Sequence, residues 1–206
     1  MIAPSAIRRP NFPFRKAMRF FSGKHSMYCL KKEVCVNFRN GTAALITPEF
    51  PGSTHDIMLL RSHLNELREL LGEKTVLADL GYRGVQHELP NIVVCGEEDA
   101  VLRARRVIVE CFFGRLKTLF VIFSVVWPMK EEFFDTFFDV ACALTNLDVL
   151  HRPLQEFDAE FNRGVQALVM AEVANRAHSQ RVANTAFRDR RRARLGFHED
   201  ETVGEL

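Results

Sequence analysis

The sequence predicts an α/β fold with a mixed sheet flanked by helices, followed by a helical C-terminal extension. Three observations support this prediction. Short runs of β-forming residues are bounded by glycine and proline, as strands commonly are. Apolar residues between those runs recur at three- and four-residue steps, as on one face of a helix. Strand-like and helix-like segments alternate along the chain, which is the order of an α/β protein.

The first predicted elements are two antiparallel strands at residues 28–38 and 42–50. Asn40-Gly41 lies between them and favours the positive φ angles of a tight hairpin turn. The preceding residues 1–27 contain prolines and scattered bases, so they predict a loop or an irregular start.

An amphipathic helix is predicted after the break at residues 51–54, where Ser53 or Thr54 offers a hydroxyl cap. Gly72 is placed where a left-handed residue commonly ends a helix. The apolar stripe of this helix consists of Ile57, Leu60, Leu64, Leu67 and Leu71.

Two more strands and two more helices complete the predicted domain. The strands are short, at residues 74–78 and 91–95, and the second follows a proline. The helices span residues 99–120 and 130–150.

The character of the chain changes beyond residue 153. We therefore predict one α/β domain over residues 1–153 and a helical, partly disordered, arginine-rich tail over residues 154–206. Within the tail, residues 157–195 predict one or two exposed helices and residues 196–206 a frayed acidic end. The arginines of residues 188–194 suit a nuclear-localisation signal, a nucleic-acid patch or a solvated helix face.

Composition excludes several classes of protein. An apolar fraction of 47% with 26% charged residues is typical of a soluble globular chain. No segment has the length and apolarity of a membrane span, and no signal peptide opens the sequence. We therefore predict no membrane partner, and a nuclear location in a eukaryote or a cytoplasmic one otherwise. The five cysteines have no zinc-type spacing and predict small buried residues.

Charge is distributed unevenly, although the net charge is only +2. Residues 1–50 contain nine Lys or Arg and two acids, whereas residues 51–150 contain more acids than bases. A basic region beside an acidic one is typical of a protein that meets a polyanion with one face and holds metal with another. A solvated basic surface is the alternative.

Three acids stand at positions where a carboxylate has chemical use. Asp56 begins a helix just after a strand, where it would also complement the helix dipole. Asp79 follows a short strand, at the sheet edge where α/β proteins bind ligands, or it caps its own turn. Glu110 lies on the apolar side of a helix and needs a cation. Arg106, Arg103 or a metal shared with Asp56 or Asp79 would supply it.

A basic segment with aromatic residues, residues 20–32, leads into the first predicted strand. It is either a solvated edge or a set of phosphate contacts, which position DNA without reading its bases. The candidate contacts are Lys24, His25, Lys31 and Lys32.

Four strings, in this order, resemble the DDE superfamily endonucleases of PIF/Harbinger-type transposases and the related bacterial insertion-sequence transposases. The strings are SGKH…LK, PGSTHD, LADLGYRG and VECFFGRLK. The resemblance covers about residues 1–150. It implies a ribonuclease-H-like fold with a mixed central sheet, in which acids bind divalent cations, Mg²⁺ or Mn²⁺.

The resemblance also implies roles for individual residues. Asp79 matches the second catalytic Asp of the family, Glu110 matches its catalytic Glu, and Asp56 matches an Asp that accompanies them as a metal ligand. Arg106 and Lys117 match bases that bracket the Glu and contact phosphate. Carboxylates suit the chemistry, because two Mg²⁺ ions about 4 Å apart clamp the scissile phosphate in such nucleases.

The first catalytic Asp of the family has no counterpart here. The string Ile7-Arg8-Arg9-Pro10 matches the family's segment after that Asp, and counting back places Met1 at its position. No acid precedes Glu33. From this we expect a chain truncated at its N-terminus, with an incomplete first strand, no upstream helix-turn-helix and impaired catalysis.

Three functional hypotheses follow. The first is a transposase-derived, metal-binding DNA endonuclease domain, probed by metal-dependent nicking of plasmid DNA. The second is a domesticated DNA-binding protein without catalysis, and the third is a poorly folded transposon relic, which a thermal melt would reveal. Double-stranded DNA is the expected partner in the first two. A separate DNA-binding protein and a second copy of the chain are further candidate partners.

Overall fold

The structure is a computed structural model that describes residues 2–94 and 100–194. The chain divides into two compact units, residues 1–169 and 170–206. All the named strands lie in the first unit. The domain boundary expected after residue 153 stays a prediction.

The longest strand, β3 (Met27–Val36), organises a five-stranded antiparallel sheet. β1 (Ile2–Ala6) pairs with it from Ile2 opposite Glu33 to Ala6 opposite Cys29. The other partners of β3 are shorter and are β2 (Phe21–Ser22), β4 (Ala43–Ile46) and β5 (Phe50–Pro51).

The expectation of an irregular start is wrong for residues 2–6, which form β1. Pro4 lies in this strand opposite Lys31. Among the described residues, β3 is the only strand that pairs with β1, and a proline is tolerated in such an edge strand because its missing N–H breaks no second ladder. A short helix, α1 (Phe14–Ala17), and a 3₁₀ turn follow.

The predicted hairpin is confirmed. β3 and β4 are antiparallel, and Gly41 between them has φ 73°. The second strand is shorter than predicted because Pro48, which has no N–H to donate, separates β4 from β5. Pro48 therefore divides the predicted strand into two.

The predicted amphipathic helix is two helices, α2 (Asp56–Ser62) and α3 (Leu64–Leu71). The break is at His63, whose φ of −130° is not helical. The imidazole of His63 contacts the buried Glu33 carboxylate, with Nε2 3.0 Å from Oε2. The expected hydroxyl cap is wrong, because His55 precedes α2 without a side-chain cap. Gly72 ends α3 with φ 51°, as predicted.

The two short strands are confirmed as β6 (Val76–Ala78) and β7 (Ile92–Val94), which are parallel to each other. They form a separate two-stranded sheet, so one continuous mixed sheet is not what the described residues show. The mixed α/β class is nevertheless confirmed. The single sheet was wrongly predicted because these strands are short. A run of three residues does not indicate which strand it pairs with.

Three long helices complete the described chain, close to the predicted positions. They are α4 (Ala100–Leu119), α5 (Phe134–His151) and α6 (Glu156–Arg194). The predicted acidic end, residues 196–206, lies outside the described residues. No described helix combines the length and apolarity that crossing a membrane requires.

The apolar core consists of two clusters. The larger one joins β3 to α4 and α5, with Phe112 and Phe138 almost fully buried. Aromatic rings pack edge to face within it, and the centroids of Trp127 and Phe134 are 5.2 Å apart. The smaller cluster packs α2 and α3 against β6 and β7. The three predicted acids, Asp56, Asp79 and Glu110, lie on or directly after elements that pack in these clusters.

Candidate functional site

Asp56 is positioned by a tight turn between β5 and α2. Gly52 lies in this turn, where an added Cβ would come within 2.4 Å of the Phe20 carbonyl oxygen. Only glycine fits this approach, and it allows the chain to leave β5 and begin α2 at Asp56.

Two lysines neutralise Asp56. The ammonium groups of Lys24 and Lys31 each lie 3.4 Å from a carboxylate oxygen of Asp56. The side chain of Lys31 is only 5% exposed, and its ammonium also donates to the Thr54 carbonyl at 2.7 Å. Lys31 is therefore held in place beside the acid.

Asp79 follows β6 and begins a 3₁₀ turn, as a turn-capping Asp does. Its carboxylate accepts a hydrogen bond from the Leu80 amide at 2.7 Å. Its other oxygen pairs with the guanidinium of Arg106, at 3.2 Å from Nη2. The structure therefore shows a capping role and an ion pair at the same carboxylate.

Gly81 connects the PGSTHD and LADLGYRG strings in space. A Cβ added at Gly81 would lie 3.0 Å from Oδ2 of Asp56. The Asp56 carboxylate thus packs against the turn that Asp79 begins.

Glu110 has a partner that the sequence did not suggest. Its carboxylate pairs with the guanidinium of Arg163 in α6, with Oε2 2.7 Å from Nη1. Arg106, the expected partner, contacts Asp79 instead, while the side chain of Arg103 lies outside the described ones. Glu110 and Arg106 are four residues apart on α4, so they share a face of that helix.

The three acids have the right chemistry for a hard divalent cation, but their arrangement does not fit one. Each carboxylate faces a base, and no three His, Cys, Asp or Glu side chains in the described part of the chain converge on one point. A carboxylate that already holds an ammonium or guanidinium offers fewer free oxygens to a metal.

The predicted phosphate contacts differ in their exposure. Lys24 is 64% exposed, and His25 is half-buried beside it. Burial lowers the pKa of His25, and the charges of Lys24 and Lys31 lower it further. Lys24 and His25 therefore lie where an anion can approach, with His25 favouring its neutral form.

Three of the predicted phosphate contacts are buried: Lys31, which is held beside Asp56, and also Lys32 and Lys117. Lys32 is fully buried and pairs with Asp135 and Asp139 of α5, with its ammonium 5.3 Å from the centre of the Phe138 ring. Lys117 is 9% exposed and donates to the side chain of Asn162 at 2.7 Å. The ammonium groups of Lys32 and Lys117 therefore bind side chains inside the protein.

Lys117 should give the unfolding free energy a distinctive pH dependence. Burial lowers its pKa from the ordinary 10.5 to about 8. Between these values the unfolded chain binds more protons than the folded one, so stability rises with pH. The pKa difference corresponds to a gain on the order of 3 kcal/mol by pH 10.5 relative to pH 8.

Urea denaturation of the wild type and of Lys117→Met at several pH values measures this contribution. The methionine variant lacks the titrating group. The free energy of unfolding of the wild type should therefore increase relative to that of the variant as the pH rises. Parallel curves from pH 7.5 to 10 would contradict a buried, depressed lysine.

The sequence interpretation missed Arg163, Asp135 and Asp139, although each pairs with a predicted site residue. Arg163 lies 53 residues from Glu110, in a segment that predicted only an exposed helix. Asp135 and Asp139 are one turn apart on α5, which is typical of a solvated face as much as of a lysine pocket. No local sequence pattern distinguishes a solvated helix face from a pair of acids that binds a buried lysine.

Comparison with known proteins gives one family match. A family model described as DDE superfamily endonuclease matches residues 5–146, more than half of the chain. Searches of curated proteins and of solved structures give no significant match.

Proposed function

This chain belongs to the DDE superfamily endonucleases, and we propose from that premise that it is a transposase-derived nuclease domain that binds DNA but cleaves it poorly or not at all. The family supplies DNA as the class of substrate. The ion-paired state of its acids supports the low activity.

One observation carries this proposal: each of the three candidate acids is neutralised by a base of the same chain. Asp56 faces Lys24 and Lys31, Asp79 faces Arg106, and Glu110 faces Arg163. A DNA phosphate can compete for these bases, since it offers the same kind of oxygen as a carboxylate. The surface therefore suits phosphate binding better than phosphodiester cleavage.

We include in the same proposal the transposase subtype, the fold, the cellular location and the metal. A PIF/Harbinger-type origin is supported by the four strings quoted above, and a ribonuclease-H-like arrangement by the parallel pair β6 and β7 beside an antiparallel sheet. A nuclear location in a eukaryotic host would follow from DNA as the partner. DDE superfamily endonucleases generally use divalent metals, so metal binding by Asp56, Asp79 and Glu110 stays a prediction; it would require the ion pairs of these acids to open first.

Replacement of Asp79 by asparagine should tighten DNA binding. Asparagine keeps an oxygen for the Leu80 amide but releases Arg106 from its ion pair. One additional phosphate contact at about 0.1 M salt corresponds to roughly a fivefold gain in affinity and a salt slope steeper by about one. Fluorescence anisotropy with a labelled duplex in EDTA measures both quantities.

Glu73→Gln is the matched control, because it removes the same charge at an exposed position outside the three acid–base groups. The control should change the affinity less than twofold. Weaker binding by Asp79→Asn than by the wild type would mean that Asp79 itself supports the DNA contact, and the proposal would be wrong.

A further inference from the structure

A basic segment lies at residues 8–19, between β1 and β2, and it contains five basic residues and no acid. All five are exposed. Unlike Lys24 and Lys31, which contact Asp56, none of the five forms an ion pair with a described residue. A group of unpaired cations attracts a polyanion. These residues form a surface that we call the N-terminal basic surface, and they are Arg8, Arg9, Arg15, Lys16 and Arg19.

Two phenylalanine rings protrude from the same segment. Phe12 is 48% exposed and Phe14 is 66% exposed. They lie between the basic residues along the chain, since Arg9 precedes Phe12 and Arg15 follows Phe14. Basic side chains together with exposed aromatic rings are the combination with which proteins bind single-stranded nucleic acid.

The backbone of this segment is held in place. The Pro13 carbonyl accepts hydrogen bonds from the amides of Lys16 and Ala17, at 2.9 and 3.1 Å. Ala17 is fully buried, so it anchors α1 on one side, while Phe14 and Arg15 of the same helix are exposed. A surface that is fixed before binding loses little conformational entropy when a partner binds.

The N-terminal basic surface continues toward Asp56. The Ser53 amide donates to the Arg19 carbonyl at 3.0 Å, and Ser53 lies in the turn that leads to Asp56. Lys24, which contacts Asp56, is also exposed. A polyanion bound along residues 8–19 can therefore extend to the acid–base group of Asp56.

Single-stranded DNA fits these features better than other polyanions do. Its phosphates pair with Arg and Lys, and its unpaired nucleobases have free faces on which aromatic rings stack. In a duplex the neighbouring nucleobases cover those faces. An acidic peptide offers charge without a flat ring at each charge. An anionic membrane is commonly bound by a long amphipathic helix, whereas α1 has four residues.

We infer that the N-terminal basic surface binds single-stranded DNA, with phosphates at its five basic residues and nucleobases stacked on Phe12 and Phe14. The inference rests on the proposed function for DNA as the partner, and it adds the unpaired strand as the form of DNA that this surface selects. The rings should therefore matter for a single strand and not for a duplex, whereas the basic residues should matter for both.

Fluorescence anisotropy tests this selectivity with the full chain in EDTA. The probes are a labelled oligothymidylate and a labelled duplex of the same length. The double variant Phe12→Leu with Phe14→Leu keeps apolar side chains but removes the flat rings. We expect it to lose at least about tenfold in affinity for the oligothymidylate and less than twofold for the duplex. The matched control, Phe133→Leu with Phe157→Leu, changes rings that are 46% and 59% exposed elsewhere and should leave both affinities unchanged.

A charge variant and a crosslink locate the site. Arg15→Gln with Lys16→Gln removes two phosphate contacts and should reduce the salt slope of oligothymidylate binding by about 1.4. An oligothymidylate that carries 5-iodouracil should crosslink to the wild type at Phe12 or Phe14 under ultraviolet light, as mass spectrometry can show. The crosslink does not require any variant to fold.

Equal losses on both probes in the Phe12→Leu and Phe14→Leu protein, or crosslinks at other residues alone, would overturn the inference. Binding of the duplex without binding of the oligothymidylate would overturn it and leave the proposed function standing. Binding of neither probe would contradict both. Binding of phosphatidylserine vesicles by a protein that does not bind the oligothymidylate would assign the surface to a membrane instead.

Discussion

Replacement of Arg115 by methionine is expected to lower the free energy of unfolding by about 3–5 kcal/mol. The guanidinium of Arg115 lies 2.6 Å from Asp148 and 3.2 Å from Asp158, and it also donates to the Arg152 carbonyl. Asp158 is only 2% exposed. Methionine fills a similar volume but leaves the Asp158 carboxylate buried without its cation, which is the costly step.

Arg152→Ala is the control for this prediction. Arg152 pairs with the same Asp148, but its side chain is 68% exposed. An exposed ion pair contributes about 0–1 kcal/mol, so this variant should unfold close to the wild type in urea. Similar losses in both variants would contradict the distinction between a buried and an exposed arginine.

Replacement of Gly114 by alanine is expected to destabilise the domain by about 3 kcal/mol or more, at the upper end of overpacking effects. Gly114 lies on α4, where an added Cβ would come 1.6 Å from the Asp158 carbonyl oxygen. That atom belongs to the backbone of α6, so a side-chain rotation cannot relieve the contact. The two helices would have to separate and disturb the Arg115 network beside them.

Gly164→Ala, in α6, is expected to have the opposite effect on stability. A Cβ at Gly164 meets nothing within 4 Å, and alanine is favoured over glycine in a helix by about 1 kcal/mol. Thermal and urea unfolding should therefore show Gly164→Ala equal to or more stable than the wild type. A Gly114→Ala protein as stable as the wild type would show that α4 and α6 do not approach so closely.

Much of the fold could be predicted because its signals are local. The Asn40-Gly41 turn, the positive φ of Gly72 and the apolar stripe over residues 57–71 depend on residues close in sequence. Predictions failed where distant contacts decide the structure. β1 is a strand because β3 lies beside it, and the helix after residue 56 breaks at His63 because its imidazole contacts Glu33.

The candidate site was also predictable where the signal is local and not where distant contacts decide the structure. Asp56 and Asp79 were predicted from their places after strands, and the Asp56 carboxylate does pack against the turn that Asp79 begins. Their charge partners were not predictable, because Arg106 and Arg163 reach across the fold. Lys32 and Lys117 were expected at phosphate but are buried, since a basic side chain gives no sequence signal for an internal acid or amide.

The acid–base pairs also suggest how the domain could meet DNA without cleaving it. Arg163 is 58% exposed and Lys24 is 64% exposed, so a phosphate can reach both. Arg106, at 22%, is less accessible. Binding should therefore begin at Lys24 and Arg163, and the release of Arg106 in Asp79→Asn tests whether a third base can join them.

Plasmid nicking tests directly whether this domain binds DNA without cleaving it. Supercoiled DNA is incubated with the wild type or with Glu110→Gln in Mg²⁺ or Mn²⁺, after DNA binding by both proteins has been measured. We expect that both proteins bind DNA and that neither converts supercoiled to nicked plasmid above the protein-free rate. Nicking by the wild type that requires the metal and is lost in Glu110→Gln would contradict this expectation and establish an active nuclease.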